Sequence, residues 1–352
     1  MKSRSGNVEL LRFLFIWAII LCHFNMKEIF LPGGWLGVEF FFVVTGYYLG
    51  KSVANRKFTD DWKTIVCEAY KELWKRIKKI YPYLIVSSII GIIFLAFSND
   101  WTMEYLFSYL KYAFGDFIFT QQLGGPAASV CGINWYLSAM LFSVLIIYPF
   151  LRRNYDLFSL YIAPIVFILV LCFLEKTNGT LNAVSVYYAG FINSGVLRGI
   201  GMMSLGIFLN AINDLKIKIN TWIATIAEVV CYTVVFIYMR IWKGDNAIFE
   251  FDILLFLAIG CFISLGGYSI FSKLLNGKFF GWLGKMSMVF FMSHFNYSQI
   301  YMHNFCYKVG LTWSEFEIKI FGLILCIVSA IFVELIVALI NKTYRVYGKR
   351  ND

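Results

Sequence analysis

The sequence predicts an all-α polytopic membrane protein with about ten transmembrane helices and both termini on the cytoplasmic side. Three observations carry that expectation. Apolar residues fill 60% of the 352 positions and charged residues only 15%, against roughly 25% charged in a soluble globular chain. The apolar residues gather into runs close to the ~20 residues that cross a hydrocarbon core. The Lys and Arg residues fall between those runs, mostly on one side. Disorder is excluded because no long segment is polar, and with 5 prolines a Pro-rich stalk is excluded too.

In order, the expected spans are 9–29, 34–50, 80–98, 133–151, 157–175, 189–210, 220–240, 249–269, 280–302 and 319–340. Open sheet cannot replace them, because lipid offers its backbone no partners, and the runs do not alternate as barrel strands do. The stretch 104–119 carries Glu104, Lys111 and Asp116 and reads as interfacial or re-entrant. With the N-terminus inside, twenty-two cations face the cytoplasm and seven face outward, leaving only Arg12 and Arg198 within spans. The net charge of +10 thus follows the inner rim of the bilayer and calls for no nucleic acid.

The first run lacks a small-residue cleavage site and leads into a second span, so no cleavable signal peptide is expected. The eight cysteines are scattered without a C-x-x-C spacing. Cys131 and Cys306 both fall near the outer face and could pair. No metal-ligand spacing, phosphate-cradling glycine loop or second soluble domain is evident. Residues 1–352 therefore read as a single transmembrane domain, with a basic amphipathic segment at 51–79 on the cytoplasmic side.

Ionisable groups inside a span are costly, which makes each a functional candidate. Arg12 and His23 lie eleven residues apart on the first span. At 100° per residue that spacing returns to within about 20° of the same face, with about 16 Å between them along the axis. Glu39, on the second span, lies as far from the intervening turn near Pro32 as His23 does. Its carboxylate is expected beside the imidazole, fixing its tautomer. Each residue also has a plainer reading: Arg12 as a snorkelling interface cation, His23 as an inter-helix hydrogen bond, Glu39 among headgroups. Together, on one face and at matched depth, they read as a site. A guanidinium suits phosphate, so an extended donor such as coenzyme A fits the span from Arg12 to His23.

Residues 62–80 place apolar side chains at 62, 65, 66, 69, 70, 73, 74, 77 and 80, the stripe of an amphipathic helix. Most of that helix reads as lying on the anionic inner leaflet. Its end, Lys75-Arg76-Ile77-Lys78-Lys79-Ile80-Tyr81-Pro82, puts four cations at the start of the third span, where they can hold the donor's phosphates.

These residues carry a resemblance to a known family. Arg12 to His23 resembles the R-x10-H motif of the acyltransferase 3 family of integral membrane acyltransferases (O-acetyltransferase-like). Gly34-Trp35-Leu36-Gly37-Val38-Glu39-Phe40-Phe41-Phe42-Val43-Val44-Thr45-Gly46-Tyr47 is similar to its second block, and the 75–82 segment to its basic block. Trp135-Tyr136-Leu137, Leu205-Gly206-Ile207-Phe208 and the run from Leu283 to His294 resemble later elements, so the likeness covers nearly the whole chain. Lys75 and Lys79 stand where arginines are usual, keeping charge without the bidentate fork. Thr45 stands for a serine, and Met288 and Phe291 for tyrosines.

The resemblance implies an acetyl-CoA-dependent O-acetyltransferase in a bacterial cytoplasmic (inner) membrane. It would move acetyl from cytoplasmic acetyl-CoA to a hydroxyl of a cell-surface or lipid-linked glycan, a carbohydrate acceptor, with no metal. On that reading His23 is the base, paired with Glu39, and Arg12, Arg76, Lys75 and Lys79 hold the donor. Arg198, His294, Trp135 and Thr45 are expected to contact substrate or the transition state. The alternative is a proton-coupled transporter or flippase using Arg12, His23 and Glu39 as a relay.

Overall fold

Helices satisfy their backbone internally, and the apolar runs form them. The computed structural model describes residues 5–25, 31–125, 132, 134–244 and 250–348. The helices are α1 (Gly6–Phe24), α2 (Leu36–Ala54), α3 (Trp62–Ser98), α4 (Met103–Phe117), α5 (Asn134–Arg153) and α6 (Tyr155–Asn178, with a π-helical turn at Phe158–Ile162). They continue with α7 (Ser194–Asp214), α8 (Thr221–Ile241), α9 (Glu250–Gly266), α10 (Lys278–Ser293), α11 (Gln299–Lys308) and α12 (Glu315–Gly348). A small antiparallel hairpin, β1 (Tyr187–Tyr188) and β2 (Ile192–Asn193), pairs Tyr187 with Asn193 just before α7.

Several starts have local causes. Asp61 accepts from the backbone N–H groups of Lys63 (3.2 Å) and Thr64 (3.0 Å) to open α3. Asn193 accepts from Gly195 N–H (2.7 Å) to open α7, and Asn220 from Trp222 N–H (2.9 Å) to open α8. Each cap satisfies donors that a first helical turn leaves without partners.

Among the described residues, 7 helices are long and apolar enough to cross a membrane. They are α1, α3, α5, α6, α7, α8 and α12. The other three expected spans correspond to α2, α9 and α10. The last two have 17 and 16 residues, about 25 Å at 1.5 Å per residue, short of the ~30 Å core. α2 carries Glu39 and Lys51 and is buried along most of its length, so it packs on protein. α8 and α12 turn residues such as Ile226, Val230, Val328 and Leu335 outward. An apolar exterior around a more polar interior is the arrangement a bilayer selects.

Small residues set the central packing. Gly46 of α2 is pressed on α7, where an added Cβ would lie 2.7 Å from Met203 Cα. Gly206 of α7 presses back on α2, where its Cβ would lie 2.9 Å from the Val43 carbonyl carbon. Such close backbone approach replaces the hydrophobic drive that helices lack in lipid. α10 runs alongside α1 in the same direction: Gly284 lies against Glu9, Phe290 against Phe13 and Trp17, and His294 against His23.

Two expectations change. The segment 62–80 and the span 80–98 form one continuous helix, with Pro82 inside it. Pro82 leaves the Lys78 carbonyl without its N–H donor, and both residues line a polar cavity. The span 280–302 is instead divided. α10 ends at Ser293, a short 3-10 turn covers Phe295–Tyr297, and α11 begins anew after Ser298. The stretch 104–119 is the 15-residue α4, with Phe107 and Phe114 exposed. Cys131, and with it any pairing to Cys306, lies outside the described residues.

Candidate functional site

His23 sits in the last turn of α1 at the protein surface, whereas His294 at the end of α10 is fully buried. His23 Nδ1 and His294 Nε2 are 3.0 Å apart. His294 Nδ1 lies 3.0 Å from Phe291 O and 3.2 Å from Phe290 O. A carbonyl only accepts, so His294 Nδ1 carries the hydrogen and its Nε2 is the acceptor. His23 Nδ1 must then donate, which leaves His23 Nε2 as a bare lone pair. The end of α10 therefore fixes the tautomer of the imidazole on α1. Phe295 stands edge-on to the His23 ring at 5.5 Å. Lys319 of α12 donates to Asn25 O at 2.6 Å, tying down the turn that follows His23.

Glu39 does not partner His23. Its Oε1 accepts from Arg198 Nε at 2.8 Å and also pairs with Nη2, and both residues are buried. The reason is azimuth. Glu39 and Gly46 are seven residues apart and share a face of α2, and Gly46 turns that face onto α7. Arg198 is on α7, so it, rather than His23, meets the carboxylate. The guanidinium also donates to Ala183 O (3.3 Å) and Asn182 Oδ1 (3.5 Å). It lies 5.5 Å from the Trp35 ring centroid and 5.3 Å from that of Trp135. Trp135 thus stacks on Arg198.

At the other end of α1, Arg12 Nη1 donates to Glu9 Oε2 at 2.6 Å. Arg12 lines a cavity of about 440 Å³ with Lys78, Lys79, Lys285, Tyr83 and Met288. Lys79 is therefore where the sequence puts it. Lys75 and Arg76 are not among the lining residues. Both turn to Glu72, at 3.9 and 3.1 Å, because i+3 and i+4 spacing on α3 brings them to its carboxylate. Of the four cations of the 75–82 run only Lys78 and Lys79 line the cavity, and Lys285 of α10 joins them. Lys285 also pairs with Glu334.

The space between the two ends is walled by aromatics. Thr45 is hydrogen-bonded to the Tyr136 hydroxyl, and Tyr136 lies within electrostatic range of Arg12, Arg76 and Glu39. Phe291 packs against Tyr136 at 5.3 Å and His294 at 6.1 Å. The lining of the cavity reaches Met288 and does not include His23. Among the described residues no cluster of His, Cys, Asp and Glu could hold a metal ion.

Tyr136, Lys285 and Lys319 are not among the residues that the sequence marks as site candidates. Those three depend on contacts between distant segments. Lys78, one of the four cations of the basic run, does line the cavity.

Fold and site define a polytopic helical membrane protein with an imidazole pair and a cation-lined cavity at opposite ends of one helix face. The model of the acyltransferase 3 family, described as an acyltransferase domain, matches residues 5–339, nearly the whole chain, and the protein belongs to that family. No curated protein and no solved structure matches it. It is a membrane acyltransferase, and membership of that family sets the transporter reading aside.

Proposed function

We propose that the protein is an O-acetyltransferase of a bacterial inner membrane. It takes acetyl from acetyl-CoA on the cytoplasmic side and delivers it to a hydroxyl of a cell-surface or lipid-linked glycan. In this reading ten helices cross or line the bilayer, both termini are cytoplasmic, and the Arg12 end of α1 faces the cytoplasm. The observation that carries the proposal is the 3.0 Å contact between His23 and His294 at the opposite end of α1 from the cation-lined cavity.

The chemistry follows from that arrangement. Arg12, Lys78 and Lys79 hold the phosphates of the donor, and its pantetheine arm runs along α1 past Met288 and Phe291. The thioester comes to rest near His23. His23 Nε2 takes the proton of the acceptor hydroxyl as its oxygen attacks the thioester carbonyl. The tetrahedral adduct collapses, the C–S bond breaks, and the proton on His23 passes to the departing sulfur. The products are an acetyl ester and CoA. His294 is a positioning residue that keeps Nδ1 of His23 protonated. Glu39 acts with Arg198 and not on the base.

Substituting His23 with Ala is expected to abolish acetyl transfer while leaving expression and membrane insertion intact, read from radiolabelled acetyl incorporated into surface glycan. Incorporation at the unmodified rate by the His23→Ala protein sinks the assignment.

A further inference from the structure

The Arg198–Glu39 pair sits inside a shell of polar atoms that have no hydrogen-bond partner among the described residues. Glu39 Oε2 is one. Asn134, fully buried in the first turn of α5, leaves both Oδ1 and Nδ2 without a partner. Gln122 Oε1, Asn193 Nδ2 and Trp35 Nε1 complete the set, on residues that are all buried.

These atoms belong to one region. Gln122 Oε1 abuts Gly195 at the start of α7, beside Asn193 and one turn before Arg198. Gln122 N–H donates to Ser138 Oγ at 3.2 Å, one turn after Asn134. Trp35 and Trp135 flank the guanidinium. The region also adjoins the imidazole pair, because Gly132, two residues before Asn134, packs on Phe295, which stands edge-on to His23.

Buried polar groups are almost always paired in folded proteins. Three acceptors and three donors left over in one place imply a ligand that supplies both. Their charge balance narrows the ligand further. The guanidinium directs four of its five N–H groups at Glu39, Ala183 and Asn182, and the Glu39 carboxylate offsets its charge, so the pair carries no net charge to attract an anion. A carboxylate or phosphate there would face Glu39 Oε2 without compensation. A hydroxyl group both donates and accepts, and a ring of them matches the set.

We propose that this shell is the acceptor subsite and that it selects an uncharged, hydroxyl-rich sugar over one bearing a carboxylate or phosphate. The proposal rests on the acetyltransferase reading above and adds to it the class of acceptor.

The test uses the full chain, purified in a detergent without sugar headgroups. Probes are the octyl β-glycosides of glucose, galactose and N-acetylglucosamine, against octyl β-glucuronide. Binding is read by tryptophan fluorescence, which needs no donor, and transfer by radiolabelled acetyl-CoA. At least one neutral glycoside is expected to bind about tenfold or more tighter than the glucuronide, the scale of one buried hydrogen bond gained against one charge left uncompensated. Asn134→Leu is expected to weaken that binding about tenfold. Asn134→Asp, nearly isosteric, guards against misfolding and is expected to weaken neutral binding as well. Glu39→Gln leaves Arg198 cationic and is expected to shift preference toward the glucuronide.

Binding of the glucuronide as tight as any neutral glycoside, or unchanged binding by both Asn134 variants, overturns the subsite. Loss of acetyl-CoA turnover by the unmodified chain, with neutral binding retained, fails the donor assignment and leaves the subsite standing.

Discussion

His23 on α1 and His294 on α10 meet across 271 residues of sequence through a 3.0 Å contact between ring nitrogens. Because His294 Nδ1 is committed to the carbonyls of Phe290 and Phe291, the order of donors runs one way. Removing His294 lets the His23 ring change tautomer or rotate. His294→Ala is expected to lower kcat for acetyl transfer roughly 100-fold, at the lower end of what a positioned base contributes, with KM for acetyl-CoA unchanged. His294→Gln, whose amide oxygen can accept from His23 Nδ1, is expected to recover part of the loss. Equal losses in the two variants refute the tautomer argument.

The cavity beside Arg12 holds cations at its rim, and the donor's phosphates should feel them. Lys79→Ala is expected to raise KM for acetyl-CoA roughly tenfold, the scale of one charge-assisted hydrogen bond, with kcat little changed. The residual affinity should depend less steeply on salt. Lys75→Ala serves as the contrast, since Lys75 is exposed and turns to Glu72. An equal effect from both substitutions places the phosphates elsewhere.

Arg198 and Glu39 are 1% and 2% exposed, so either one alone is a buried charge. Arg198→Met is expected to destabilise the protein by about 3–5 kcal/mol, the usual cost of orphaning one partner of a buried pair. The double variant Arg198→Met with Glu39→Gln removes both charges and should unfold nearer the unmodified protein. Thermal unfolding in detergent checks this, and additive losses in the double variant contradict it.

Gly46 and Gly50 lie one turn apart on α2 but face α7 at different clearances. A Cβ at Gly46 would come 2.7 Å from Met203 Cα, whereas one at Gly50 would meet Ile207 Cα at an ordinary 3.4 Å. Gly46→Ala should therefore cost about 1–3 kcal/mol as α2 and α7 are forced apart, and Gly50→Ala much less. The same unfolding assay reads both, and a reversed order rejects this account of the α2–α7 packing.

What could be read from the order of residues alone was whatever depends on neighbours along the chain. Apolar run length and polar caps are local, so most helices were legible to within a few residues. The shared face of Arg12 and His23 was legible too, because helical periodicity is local: both turn toward α10, Arg12 beside Met288 and His23 onto His294. Matched depth misled for Glu39, since distance from a turn says how deep a residue lies and nothing of the direction it faces. That direction came from the glycine contacts between α2 and α7 and from Arg198, 159 residues away. The pairing of the two imidazoles likewise required α10 to lie parallel to α1, which no spacing within either helix encodes. Packing between distant helices chose the partners, because buried charges and ring nitrogens in a low-dielectric interior bind whatever complementary group the assembled bundle brings within about 3 Å.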